Sequence, residues 1–211
     1  MARMASWAVT VGHWRRVPIR LHASVPLGLY VLSGFQFNPL WWLCTLVLIL
    51  LHELGHAFVV QLVGGRATEV MLTGFGGHCA WVGDVTPLGR AAIACGGLAA
   101  QLVLMLVALA VWGLGYWPQG EVANVVLYSA TLRNAYLFAF NALPLSPLDG
   151  AEGWQFPYLL GQRLRARLGT YRNVMHAEGD FIAPGQGGAD AQAKAMAAQL
   201  LADARREEEP K

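Results

Sequence analysis

Long apolar runs along the chain alternate with short polar or basic breaks, and the runs are mostly too long for soluble core helices. Residues 39–63 and 88–112 each exceed the roughly 20 residues that span a bilayer as helix. A shorter apolar run covers residues 21–35, too short for a full crossing unless extended or tilted, and a fourth begins near Val122. The breaks differ in charge. Arg3, Arg15, Arg16 and Arg20 precede the first run, Arg66 and Arg90 bracket the loop between the second and third, and Arg163, Arg165, Arg167 and Arg172 follow the fourth. Residues 34–38 and 113–121 carry no Lys or Arg. The positive-inside rule then predicts both termini and the 64–87 loop in the cytoplasm.

Within that loop, two short β-like runs flank Gly74-Phe-Gly-Gly77, which predicts a hairpin near the cytoplasmic face. Its edge could hold an extended peptide by strand addition, or it is a plain connector. The expected fold is therefore an all-α polytopic membrane protein, with about four membrane-embedded helices and a small β-hairpin. Its expected parts are a cytoplasmic N-terminal segment (1–20), an intramembrane core (21–162), and a cytoplasmic basic flank with a C-terminal tail (163–211). In the tail, a glycine joint at 185–188 precedes an alanine-rich helix expected over residues 189–206.

Composition sharpens this picture. Of 211 residues 55% are apolar and only 13% charged, against about 25% charged in average soluble domains; mean hydropathy is +0.41. A net charge of +2 and the lack of a basic-aromatic patch argue against nucleic acid as a partner. Cys44, Cys79 and Cys95 show no paired spacing, so no disulfide framework is implied, and the two in apolar runs read as small buried hydrophobes. No compact leader with a cleavage site stands at the N-terminus, so a removable signal peptide is not expected.

The chemistry sits inside the second run. Between residues 39 and 63 the only ionisable side chains besides the Cys44 thiol are His52, Glu53 and His56. Each titratable group near a bilayer centre costs on the order of 2.5–3.5 kcal/mol on insertion scales. Histidines at i and i+4 share one face of a helix and can bind one Zn²⁺, while the glutamate between them can activate water at the metal.

Catalytic zinc usually takes three protein ligands and one water. Among His13, His22, His78, His176, Glu69, Asp84, Glu121 and Asp149, the best third ligand is Asp149, although a turn or helix-capping role would also suit an aspartate before Gly150. Depth favours it: Glu53 lies 13 residues before Arg66, and Asp149 lies 14 residues before Arg163. Pro144, Pro147 and Pro157 rule out one regular helix around Asp149. Irregular backbone at such depth is tolerated where it lines a cavity.

These motifs, His52-Glu-Leu-Gly-His56 and Asn141-Ala-Leu-Pro-Leu-Ser-Pro-Leu-Asp-Gly150, resemble those of the site-2 protease family of intramembrane zinc metalloproteases. Arg20-Leu-His-Ala-Ser24, Gly74-Phe-Gly-Gly77 and Gly96-Gly-Leu-Ala-Ala-Gln101 are similar as well, so the resemblance spans roughly residues 14–160. It departs at Ala151, where the family usually has a second glycine. The resemblance implies one Zn²⁺ per chain held by His52, His56 and Asp149, Glu53 as catalytic base, and Asn141 on the substrate backbone or the developing oxyanion. It implies hydrolysis of peptide bonds in or near transmembrane helices of single-pass or membrane-anchored substrates, and a multi-pass protein in the plasma membrane of a prokaryote.

Two other readings compete: a non-proteolytic membrane scaffold with structural zinc, and a metal transporter. A scaffold would be expected to lack a base or ligand, yet Glu53 and Asp149 are both present. A transport path needs polar residues continuing across the membrane, and residues 43–51 offer only Thr45. Arg133, in the fourth run, reads as structural, snorkelling outward or pairing with Glu121, although an intramembrane arginine is a functional candidate by default.

Overall fold

The computed structural model describes residues 7–115 and 119–180, with side chains to residue 168. The expected tail helix over 189–206 lies outside the described residues. Two compact units divide at residues 162 and 163, the first carrying all the strands and the second the C-terminal part of the last helix.

The N-terminal segment, expected only as a cytoplasmic flank, folds into two antiparallel strands, β1 (Ala8–Trp14) and β2 (Val17–His22). Their two-residue turn puts Arg15 and Arg16 at positive φ (46° and 74°). That geometry suits the twist of a tight hairpin but is one arginine seldom adopts. The 64–87 loop forms the expected hairpin, β3 (Arg66–Thr73) and β4 (Gly76–Val82), turning at Gly74-Phe75. Parallel pairing of Ile19–Leu21 with Val70–Leu72 joins the two hairpins into one sheet of order β1-β2-β3-β4. An Arg20–Glu69 ion pair at 3.4 Å bridges them.

Only two of the four expected membrane stretches are single helices long and apolar enough to cross a bilayer: α2 (Pro39–Leu62) and α3 (Pro87–Gly113). Both start on proline with a capped end: the Asn38 side chain accepts from Trp41 N–H at 3.2 Å, and Thr86 from Gly89 N–H at 3.1 Å. The first stretch gives only α1 (Val25–Leu32), about 12 Å long at 1.5 Å per residue, because β2 takes its start and Gly34 ends it at positive φ. The fourth is α4 (Glu121–Tyr128), a π-helical turn (Ser129–Arg133) and α5 (Asn134–Asn141) in continuous succession. Beyond it the chain is irregular, with a cis Ser146–Pro147 bond, until the single turn α6 (Gly150–Gly153) and α7 (Phe156–Asp180).

The outward faces of α2 and α3 are apolar. Leu43, Val103, Leu106 and Val107 are all more than half exposed, a surface no soluble monomer presents over this length. Hydrocarbon supplies no hydrophobic drive between helices, so close backbone packing must hold them. At the crossing of α2 and α3, Gly55 meets Gly96: a Cβ on Gly96 would lie 2.7 Å from the Gly55 carbonyl oxygen. The hydrophobic core fills the space between helix and sheet, where Ala57 and Val60 of α2 pack with Val70 and Leu72 of β3, all at most 1% exposed.

Gly55→Val should drive α2 and α3 apart and destabilise the fold by about 1–3 kcal/mol or more. Gly113→Ala, whose Cβ meets nothing within 4 Å, should be neutral. Thermal unfolding of the detergent-solubilised protein checks this, and equal midpoints for the two variants would refute a crossing that depends on Gly55.

Candidate active site

One turn of α2 separates His52 from His56, so both imidazoles leave the same face, and both residues are buried. Their outer nitrogens are anchored to α3. His52 Nδ1 lies 3.0 Å from Gln101 Oε1, and His56 Nδ1 lies 2.7 Å from the carbonyl oxygen of Ile93. A carbonyl can only accept, so His56 Nδ1 carries the proton; the Gly97 N–H, 3.3 Å from that nitrogen, is the weaker contact. The Gln101 amide oxygen assigns the same tautomer to His52. Each Nε2 is then left with a lone pair, and the two stand 3.1 Å apart.

Asp149 completes the convergence. Its Oδ2 lies 2.8 Å from His52 Nε2 and 3.3 Å from His56 Nε2. Although Asp149 occupies the cap position of α6, its side chain makes no capping bond, so the turn-and-cap role weighed from sequence is not what the carboxylate does. Oδ2 is buried and receives no hydrogen bond. Three electron-pair donors thus point at one spot with no proton between them, a set that repels itself unless a cation stands there. His52, His56 and Asp149 each offer one ligand atom within 4.8 Å of the others. Two imidazoles and one carboxylate, with a side left open, make the donor set of a catalytic zinc.

Small residues make room for this arrangement. A Cβ on Gly97 would lie 2.5 Å from His56 Nε2 and 2.7 Å from His52 Nε2, so any side chain there would occupy the metal position. Glu53, only 4% exposed, turns toward β4, where its carboxylate packs on Gly77 and leaves no space for a Cβ. Glu53, His56 and Asp149 line one open cavity of about 260 Å³, which Gly77 and His78 of β4 and Pro147 of the irregular segment help to close. Cys79 also lines it, but burial, with the Glu53 carboxylate adding to it, pushes that thiol up to about 12. It stays protonated and does not compete for a cation.

Sequence reasoning singled out His52, Glu53, His56 and Asp149, and the fold brings all four together. Asn141 ends α5, half-buried, and does not line this cavity. The orienting groups on α3 were not recognised as such. Gln101, 2% exposed, was visible as an uncharged amide in an apolar run, and Asn134, fully buried, donates to the Gln101 backbone carbonyl at 2.7 Å. Arg133 has no ion pair with Glu121 among the described residues; it donates to Thr45 at 2.7 Å and lies over the Trp41 ring.

Comparison with known proteins agrees with this geometry. A family model described as Peptidase M50B-like matches residues 25–144, more than half of the chain, including the histidine motif and ending five residues before Asp149. A curated zinc metalloprotease of Methanocaldococcus jannaschii is 27% identical over 166 residues, covering 72% of this chain and 48% of that protein. The chain therefore spans about half the length of that relative. Among solved structures, the site-2 protease from Methanocaldococcus jannaschii matches with a TM-score of 0.59 at 23% identity, covering 80% of this chain and 82% of that one. This likeness is one of fold.

Gln101→Leu should leave helical content intact but weaken metal binding about 10–100-fold, because the amide that fixes the His52 ring is lost. Competitive chelator titration measures this; wild-type affinity in the variant would rule out an orienting role.

Proposed function

From the premise that the chain belongs to the Peptidase M50B-like family, we propose that it is an intramembrane zinc endopeptidase that cuts membrane-anchored proteins in or near their transmembrane helices. The observation that carries the proposal is the meeting of two imidazoles, one carboxylate and the Glu53 carboxylate at one cavity between apolar helices. His52, His56 and Asp149 would hold one zinc per chain. When bound, zinc supplies a Lewis acid that brings the pKa of water towards ~7 and polarises the scissile carbonyl.

The remaining work falls to the chain's own residues. Glu53, held against Gly77 at the cavity wall, takes a proton from the attacking water and passes it to the leaving amine. A substrate helix hides its carbonyls in hydrogen bonds, so it must unwind before cleavage. β4 is an edge strand beside the cavity and offers unpaired backbone groups to the unwound segment by strand addition. Asn141 would assist at the oxyanion once substrate draws it in, since donors aimed at that oxygen typically contribute 10²–10³ in rate, on the order of 3 kcal/mol. The arginine distribution supports a plasma-membrane orientation with both termini, the sheet and the basic flank from Arg163 on the cytoplasmic side.

Glu53→Gln should lower cleavage of a single-pass substrate in proteoliposomes by roughly 10²–10⁴-fold, the range of a lost general base, with zinc still at one per chain. Wild-type cleavage by that variant would refute the base. Zinc binding without any cleavage by the wild type, across a library of single-pass substrates, would favour the scaffold reading instead.

A further inference from the structure

The cavity at Glu53 is exceeded in volume by another among the described residues. This second one, of about 730 Å³, opens at the other end of the helices, where α2 begins and α3 ends. That volume is in the usual range of small-ligand sites. Arg133, the last residue of the π-helical turn, is at its wall, and π-turns frequently mark functional positions. Its guanidinium donates to Thr45 Oγ1 at 2.7 Å and stacks 4.4 Å above the Trp41 ring, which itself meets Tyr128 edge-on at 5.3 Å. The ionisable neighbours that act on it are Tyr128 and Cys44, and no carboxylate pairs with it among the described residues. A guanidinium in a membrane bundle that is held by a hydroxyl and a ring, with no carboxylate among the described residues to pair with it, is a cation that still calls for an anion.

We propose that this cavity is a binding site for an anionic phospholipid headgroup of the phosphatidylglycerol type, with Arg133 on the phosphodiester. The proposal depends on the membrane placement argued above, not on the metal site. One guanidinium, with its planar fork, matches one singly charged phosphodiester. Among the described residues no acidic side chain lines the cavity to receive the ammonium of a zwitterionic headgroup, and the Trp41 face that could take it is occupied by Arg133. The Gln36 and Asn124 amides line the same space and make no hydrogen bond to a described residue, so they are placed for a polyol. Trp112, Val125 and Leu127 supply an apolar wall, and Trp and Tyr at one helix end suit the headgroup level. A peptide carboxylate is the weaker fit, because the sheet edges that would pair with its backbone lie at the opposite end of α2.

The test is native mass spectrometry of the full chain in mild detergent. Phosphatidylglycerol and phosphatidylcholine with the same acyl chains are titrated, and inorganic phosphate and a peptide with a free C-terminus serve as competitors. The wild type should hold one phosphatidylglycerol at least tenfold more tightly than phosphatidylcholine. Arg133→Gln should abolish that preference. Asn124→Trp, which fills the cavity from an exposed position and leaves Arg133 its contacts, should weaken binding tenfold or more and carries the test if Arg133→Gln does not fold. Equal binding of the two lipids by the wild type, an undiminished preference in Arg133→Gln, undiminished phosphatidylglycerol binding by a folded Asn124→Trp, or displacement by phosphate or peptide at equimolar concentration would each overturn the proposal.

Discussion

Three lone pairs meeting in a low-dielectric interior are the constraint on which this structure depends. In hydrocarbon, His52 Nε2, His56 Nε2 and Asp149 Oδ2 at 2.8–3.3 Å are tolerable only around a cation. The rest of the core can be understood as what brings them there. α2 carries both imidazoles on one turn, and α3 grips their outer nitrogens with Ile93 and Gln101. An irregular, proline-broken segment delivers the carboxylate at the same depth. Because α3 must come within backbone distance of α2 to reach those nitrogens, Gly55 and Gly96 at the crossing and Gly97 under the rings are all required to lack side chains. The glycine within His52-Glu-Leu-Gly-His56 thus belongs to the site as much as its histidines do, through packing rather than chemistry.

The bilayer as solvent explains the division between regular and irregular backbone. Between their capped ends α2 and α3 satisfy their backbone groups by internal hydrogen bonds and show Leu43, Val103 and Leu106 outward. Residues 142–149 form no regular helix, yet several of their backbone groups are met from within: Trp154 Nε1 donates to the Ala142 carbonyl at 2.8 Å, and the Leu148 N–H donates to the Leu145 carbonyl at 2.7 Å. Gly150 nests against the Ala142 and Leu143 carbonyls with no room for a Cβ. A tightly folded turn of this kind can present Asp149 at depth where an open loop could not.

Much of this was legible in the sequence because it obeys short periods. The i, i+4 histidines, the lengths of α2 and α3 and the glycine-turned hairpin β3–β4 each follow a local rule. What escaped was nonlocal or broke the period. The β1–β2 hairpin turns on Arg15-Arg16, without the glycine or asparagine that signals such a turn, and β2 finds β3 across some 50 residues. α1 is short because β2 claims the start of its apolar run, a competition that hydropathy cannot register. The expected Arg133–Glu121 pair does not form among the described residues, because the guanidinium turns to Thr45 and the Trp41 ring instead.

The π-helical turn rewards a closer argument on this point. Buried positions along the fourth segment run Val125, Ser129, Asn134, stepping by four residues and then five. At ~100° per residue, five residues of α-helix would leave Asn134 about 140° from Ser129 and facing lipid. The wider π-turn absorbs the extra residue and restores Asn134 to the interior. Two consecutive polar residues then serve opposite ends of the bundle. Arg133 reaches Thr45 and the 730 Å³ cavity, while Asn134 holds the Gln101 backbone, whose side chain in turn holds His52. A single inserted residue therefore ties the wall of the large cavity to the imidazole at the metal position by covalent bonds and hydrogen bonds alone. Arg133 and the ring of His52 are thus two ends of one connected polar network.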